Sequence, residues 1–180
     1  MASERLRLLR RVEYDWMVGQ GFFETEKVEL LDGVIVEMSP QGTRHAATVQ
    51  RLNPLFVLAL RGRAAVRVQS PFVASDISEP EPDIALVPPG DYDASHPSQA
   101  FLLVEVAESS INRDRRVKTR VYAAAGVPEY WLVDVASGTI EIRTQPTAGG
   151  YSQVRIARSG ESIRLQAFPD VEIAVSDVVR

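Results

Sequence analysis

The stretch Phe101-Leu102-Leu103-Val104-Glu105-Val106-Ala107 carries a single charge inside an otherwise apolar run. Successive side chains of a strand point to opposite faces, so a run apolar at both odd and even positions belongs to a strand covered on both sides. An ionised carboxylate buried there costs on the order of several kcal/mol unless a partner compensates it. Glu105 therefore needs a partner, or else an edge position that turns it to solvent.

The rest of the chain sets the frame for that strand. At 180 residues with 45% hydrophobic and 24% charged residues, the sequence fits one soluble globular domain spanning 1–180, and the disordered and fibrous classes drop out. No apolar run approaches the ~18 residues of a membrane span, and no apolar block follows the charged Met1–Arg5 segment. A cytoplasmic location and no membrane partner are expected. The absence of cysteine excludes disulfides, thiolate metal sites and a cysteine nucleophile, and leaves any metal to oxygen and nitrogen ligands. A net charge of −4 gives no overall attraction to nucleic acid, so phosphate binding must come from local basic clusters.

Periodicity and turn signals divide the chain into short elements. An N-terminal helix follows Ser3, with Leu6, Leu9, Val12, Trp16 and Met17 on one face and Gly19 and Gly21 at its end. Residues 28–38 read as a hairpin around Asp32-Gly33, with Glu29 on its first strand. A helix over 41–60 contains Pro54, which should bend it or move its boundary. Strands are expected over 66–73, 83–87 and 101–107, then a helix capped by Ser110 or Asn112 that runs to Ala125 and stops at Gly126. A strand over 130–135, shorter strand-like pieces over 139–144, 151–157 and 162–165, and a polar tail complete the chain, with 79–82 and 87–97 as surface loops.

Asp83 opens one of these strands and Glu105 interrupts another. With a side-chain period of two, Glu105 shares a face with Leu103 and Ala107, and Asp83 with Ala85 and Val87. If the strands are neighbours, both carboxylates converge on one edge, where a divalent cation such as Mg²⁺ could join them to phosphate oxygens. Asp114, Lys118 and Tyr122 recur every four residues and form one helical stripe. Lys118 is one of only two lysines among 20 basic residues. On spacing alone it reads as a solvated helix lysine paired with Asp114; as a compact point charge it could also meet a phosphorane oxyanion. Glu29 reads equally as a strand-face charge, and His45 as a hydrogen-bonding residue at a helix start. Phosphate-loop, dinucleotide-loop, zinc-protease and serine-elbow motifs are absent.

Pro82-Asp83, Glu105-Val106-Ala107 and Lys118 together resemble the PD-(D/E)XK nuclease superfamily, in a form whose lysine comes from the helix after the strand. Ala107 occupies the strand position that holds lysine in the standard motif. More closely, an ordered series of segments is similar to the Uma2 family (DUF820) of restriction endonuclease-like proteins. These are Glu29-Leu30-Leu31-Asp32-Gly33, Met38-Ser39-Pro40 with His45, Pro82-Asp83, Val104-Glu105-Val106, Lys118 with Tyr122, and the run from Gly126 to Asp134.

The resemblance implies an α/β fold with a restriction-endonuclease-like core, a mixed β-sheet flanked by helices, with an extra N-terminal helix and hairpin and C-terminal strands. It implies Mg²⁺ or Mn²⁺ held by Asp83, Glu105 and the carbonyl of Val106, with Glu29 as an additional carboxylate and Lys118 as catalytic cation. The activity implied is metal-dependent endonucleolytic hydrolysis of DNA. The alternatives are a non-catalytic binding or assembly module on the same fold, or a nuclease for RNA or branched nucleic acid. Arg44, His45, Arg115, Arg116 and Tyr122 are candidates for contact with the nucleic acid, in an arginine-rich setting that includes Arg51, Arg113 and Arg120. Cutting two strands from one small site favours a homodimer.

Overall fold

The computed structural model describes residues 6–108 and 114–179. Its centre is a six-stranded mixed sheet in the order β3 (Ala65–Val68), β4 (Ile84–Val87), β5 (Leu102–Ala107), β6 (Glu129–Asp134), β7 (Thr139–Thr147) and β8 (Gly150–Ala157). The β5–β6 pair is parallel and every other pair is antiparallel. A parallel pair needs a crossover, which is supplied by a π-helical turn, Asp114–Lys118, running into α3 (Thr119–Ala124).

Both faces of the sheet are covered, as the unbroken apolar run of β5 requires. On one face, Leu102, Val104 and Val106 pack with Leu52, Phe56 and Leu60 of α2 (Thr43–Leu60). On the other, Leu103 and Ala107 join Val121 and Tyr122 of α3 and Tyr130 and Leu132 of β6. Glu105 has the parity of the second face. The pairs Ile84↔Val104 and Ala85↔Leu103 set the β4–β5 register, and one further step places Asp83 opposite Glu105.

A hairpin of β1 (Val28–Leu31) and β2 (Val34–Glu37) bridges through Leu30 to Glu79, in the chain leading into β4. Its two turn residues, Asp32 and Gly33, have φ of 49° and 77°. A two-residue turn that matches strand twist needs positive φ at both positions, which is why Asp-Gly appears here. Gly33 is required on a second ground: a Cβ at this position would sit 2.5 Å from that of Leu8.

Several sequence expectations are corrected. The N-terminal helix, α1 (Arg11–Gly19), starts later than Ser3 and turns Tyr14 inward, while Val12 and Trp16 remain 64% and 60% exposed. Its apolar stripe is therefore not the core face. The strand expected over 66–73 ends at Val68, because Gln69 adopts a left-handed φ of 46° that breaks the extended chain. Pro54 lies within α2 as expected, and the helix still ends at Leu60; buried Leu52, Phe56 and Leu60 hold it on the sheet despite a penalty of about 3 kcal/mol for an interior proline. The chain end is no polar tail: β9 (Ser162–Arg164) pairs with β10 (Glu172–Ala174), and α4 (Val175–Val178) buries Val175 and Val178. The cap expected at Ser110 or Asn112 lies outside the described residues. Among the described residues no helix is long and apolar enough to cross a membrane.

Truncating Leu52, which is fully buried between α2 and the sheet, should lower unfolding free energy by about 2–5 kcal/mol. Leu58→Ala on the exposed side of the same helix should change it by less than ~0.5 kcal/mol. Urea denaturation of both variants checks this assignment of helix faces.

Candidate active site

Five elements deliver charged or polar side chains to one cavity of about 90 Å³. Glu29 comes from β1, His45 from the first turn of α2, Asp83 from the residue before β4, Glu105 and Val106 from β5, and Lys118 from the end of the π-helical turn. The 38–42 segment, Glu81 and Glu108 complete the lining.

Lys118 stands at the centre. Its Nζ donates to Glu29 Oε2 at 2.5 Å and to Glu105 Oε1 at 3.1 Å, and its side chain is only 3% exposed. Tyr122, one turn on, is fully buried and donates its hydroxyl to the same Glu105 oxygen. The compensation demanded by a mid-strand glutamate is thus a lysine and a tyrosine from the crossover helix, four residues apart on one face. Burial by itself pulls the Lys118 pKa down. The charges of Glu105 and Glu29 and their hydrogen bonds outweigh that effect, so the net shift is upward and the group stays an ammonium. Burial first, and the neighbouring Glu105 and Glu29 charges next, raise the Tyr122 phenol well above its ordinary value and keep it an O–H donor.

Asp83 is fixed by three donors. Its Oδ2 accepts the Val106 N–H at 2.8 Å and lies 3.0 Å from His45 Nε2, while Oδ1 accepts the Gln69 side-chain amide at 3.2 Å. Against a carboxylate, Nε2 is the donor. Glu29 Oε2 also accepts the Glu81 N–H at 3.1 Å, which ties the hairpin to the chain entering β4. Glu81 itself pairs with Lys27 at 2.5 Å. Among the described residues no three acidic or histidine side chains form a ready-made metal cage; the ammonium pairs with both Glu29 and Glu105. The available set is two carboxylates on adjacent strands beside a backbone segment. Such hard oxygen donors fit Mg²⁺ or Mn²⁺, which bind through one or two carboxylates and keep waters.

Glu29, His45, Asp83, Glu105, Val106 and Lys118, all singled out from the sequence, meet here. Tyr122 lies beneath the site instead of on a surface open to nucleic acid. Arg44 is directed elsewhere: its Nη2 donates to the Val135 carbonyl at 2.7 Å, in a separate hollow shared with Arg51. Arg115 is held by Glu141 at 2.5 Å, Arg120 pairs with Asp32, and Arg116 is exposed. Arg113 and the side chain of Asp114 lie outside the described residues. Sequence reasoning missed Gln69 and Glu81. Both sit in irregular chain, Gln69 just past β3 and Glu81 just before β4; the polar run entering β4 hinted at Glu81, and nothing local marked Gln69.

The six-stranded mixed sheet with helices packed on it is the architecture of a nuclease-like α/β fold. The chain belongs to the Uma2 family: the family model, described as "Putative restriction endonuclease", matches residues 12–176. Among solved structures, the fold is similar to that of a protein from Anabaena variabilis described as "a putative nuclease belonging to DUF820". The TM-score is 0.69 at 14% identity, covering 85% of this chain and 89% of that one. At this identity the likeness is one of fold. No curated protein matches the chain.

Replacing Lys118 by Met should cost about 3–5 kcal/mol, because it strands two buried carboxylates. Adding Glu29→Gln should recover part of that loss; equal stability of wild type and Lys118→Met in urea would contradict the assignment. Since the folded-state pKa of Lys118 is raised above 10.5, its stabilisation is complete below about pH 10.5 and is lost as pH rises further.

Proposed function

We propose that the protein is a divalent-metal-dependent nuclease that hydrolyses phosphodiester bonds of DNA at this cavity. The observation that carries the reading is one of charge. Three buried carboxylates, Glu29, Asp83 and Glu105, share one cavity with a single ammonium, which pairs with Glu29 and Glu105; with a neutral His45 beside Asp83, two negative charges are left in excess in a low-dielectric pocket. One divalent cation would balance them.

Asp83, Glu105 and the Val106 carbonyl would hold Mg²⁺ or Mn²⁺. Such an ion, when bound, lowers the pKa of a coordinated water and shields the charge of a phosphate. The remaining work falls to the chain. Lys118 presents a fixed positive charge to the oxygens of a pentavalent phosphorus and stays protonated throughout. Tyr122 holds Glu105 in one orientation. His45, Gln69 and the Val106 N–H do the same for Asp83, so neither acid must reorganise when substrate arrives. Glu29 keeps the ammonium aimed into the cavity. A two-fold pair of chains would present one such site to each strand of a duplex.

The overall charge of −4 supports the runner-up, a binding or assembly module without catalysis. Incubation with single-stranded, duplex and branched DNA and with RNA, each with Mg²⁺ or Mn²⁺, separates the two. The nuclease reading predicts metal-dependent cleavage of DNA that is abolished in Asp83→Asn and Glu105→Gln. Lys118→Met should reduce it by about 10²–10³-fold, the usual cost of removing one donor to a developing oxyanion. Cleavage that survives all three substitutions, or binding with no cleavage under any condition, would reject it.

A further inference from the structure

A second and larger cavity, about 480 Å³, lies beside the first, bounded by α1, the start of β1 and residues 92–96. Glu81 lines both, so the two share a wall. Inside it is a buried acid that the proposed chemistry does not use. The Glu79 side chain is 4% exposed, yet its Oε2 has no hydrogen-bond partner. The nearest cation, Arg11 Nη1, stands 3.7 Å away and instead donates to Asp15 at 2.7 Å. Arg11 Nε is likewise buried without a partner. Burial pushes the Glu79 carboxyl up to about 7; Asp15 adds to the shift and Arg11 opposes it. Glu79 lines the cavity, and a ligand N–H that reached its desolvated acceptor would remove that cost.

The lining narrows what that ligand is. Asp15, Glu26, Glu79, Glu81 and Asp93 outnumber Arg11 and Lys27, so the cavity repels a phosphate and favours a group rich in donors. Tyr14 and Phe23, stacked at 5.9 Å, and Tyr92 offer flat apolar surfaces. A planar group that carries adjacent N–H donors and no charge requirement, attached to a phosphate that stays in the neighbouring cavity, meets each of these conditions.

We propose that this second cavity receives an unstacked guanine of the substrate, with Glu79 accepting hydrogen bonds from its N1–H and exocyclic N2 amino group. Guanine alone among the common bases presents two adjacent N–H donors on its pairing edge, which matches the fork of a carboxylate. Adenine and cytosine set an acceptor beside their amino group, and thymine and uracil flank one N–H with two carbonyls; each would face Glu79 with a repelling oxygen or nitrogen. The inference rests on the nuclease reading, which supplies the phosphate in the first cavity, and it adds a preference for guanine next to the scissile bond.

Calorimetric titration of the full chain with uncharged nucleosides tests it without cleavage. Guanosine should bind at least ~10-fold more tightly than inosine, which lacks the N2 amino group, and than adenosine, cytidine and uridine, one good bidentate contact being worth that much. Glu79→Gln should reduce guanosine affinity by about 10-fold or more while the circular dichroism spectrum stays unchanged, and Glu79→Asp should restore a part. No guanosine binding, equal affinity for all nucleosides, or indifference to Glu79→Gln would overturn the proposal. Tighter binding of agmatine than of guanosine would also overturn it and reassign the cavity to guanidinium groups. Parallel cleavage assays keep the two readings apart. Selective guanosine binding with no cleavage of any substrate rejects the nuclease and keeps the pocket; cleavage with no base preference and no nucleoside binding rejects the pocket alone.

Discussion

One ammonium holds this site together. Lys118 joins the N-terminal hairpin through Glu29 to the central strand through Glu105, and both contacts lie almost wholly out of water. A charge placed in the middle of a covered strand would otherwise oppose folding by several kcal/mol. The crossover between β5 and β6 therefore does more than connect two parallel strands: its helical segment carries Lys118 and Tyr122 on one face, directly over the carboxylate that needs them. The hairpin is held to the chain entering β4 through the same cation, the Glu81 N–H and the backbone pairing of Leu30 with Glu79.

Not every buried acid here reads as part of a site. Glu129 is 1% exposed but is satisfied by the Trp131 indole at 2.7 Å and the Gln166 N–H at 2.8 Å. Glu141 is held between Arg115 and Arg143. Both are closed local arrangements. The carboxylates around Lys118 differ in lining a cavity, in outnumbering their cation, and in being oriented by neutral donors from separate elements. That combination is what general electrostatic catalysis asks of a scaffold: groups fixed before substrate arrives, with charge left over.

Much of this was legible in the sequence because its strongest signals are local. The apolar run around Glu105 shows a strand covered on both faces, Asp32-Gly33 a two-residue hairpin turn, and the four-residue interval from Lys118 to Tyr122 a shared helical face. Each depends on geometry within a few residues. What was not legible depends on tertiary partners. The apolar residues of α1 look like a core face, yet the packing turns Tyr14 inward and leaves Trp16 outside. Gln69 reads as one more strand residue until its left-handed backbone turns its amide onto Asp83. The charge of Arg44 and Arg115 is plain in the sequence, but their partners in the fold, Val135 and Glu141, lie far away in the chain. Short apolar pieces after Val171 were too brief to show periodicity, although they join the core cluster of α2 and Val178 accepts a hydrogen bond from Arg51.

The central claim is that two acids on adjacent strands bind one divalent ion beside a buried ammonium. Crystals soaked in Mn²⁺ and measured at the manganese absorption edge test it most directly. The account predicts a single anomalous peak within coordination distance of both the Asp83 and Glu105 carboxylates, lost in Asp83→Asn. An empty cavity at saturating Mn²⁺, or a peak held by other residues, would contradict it.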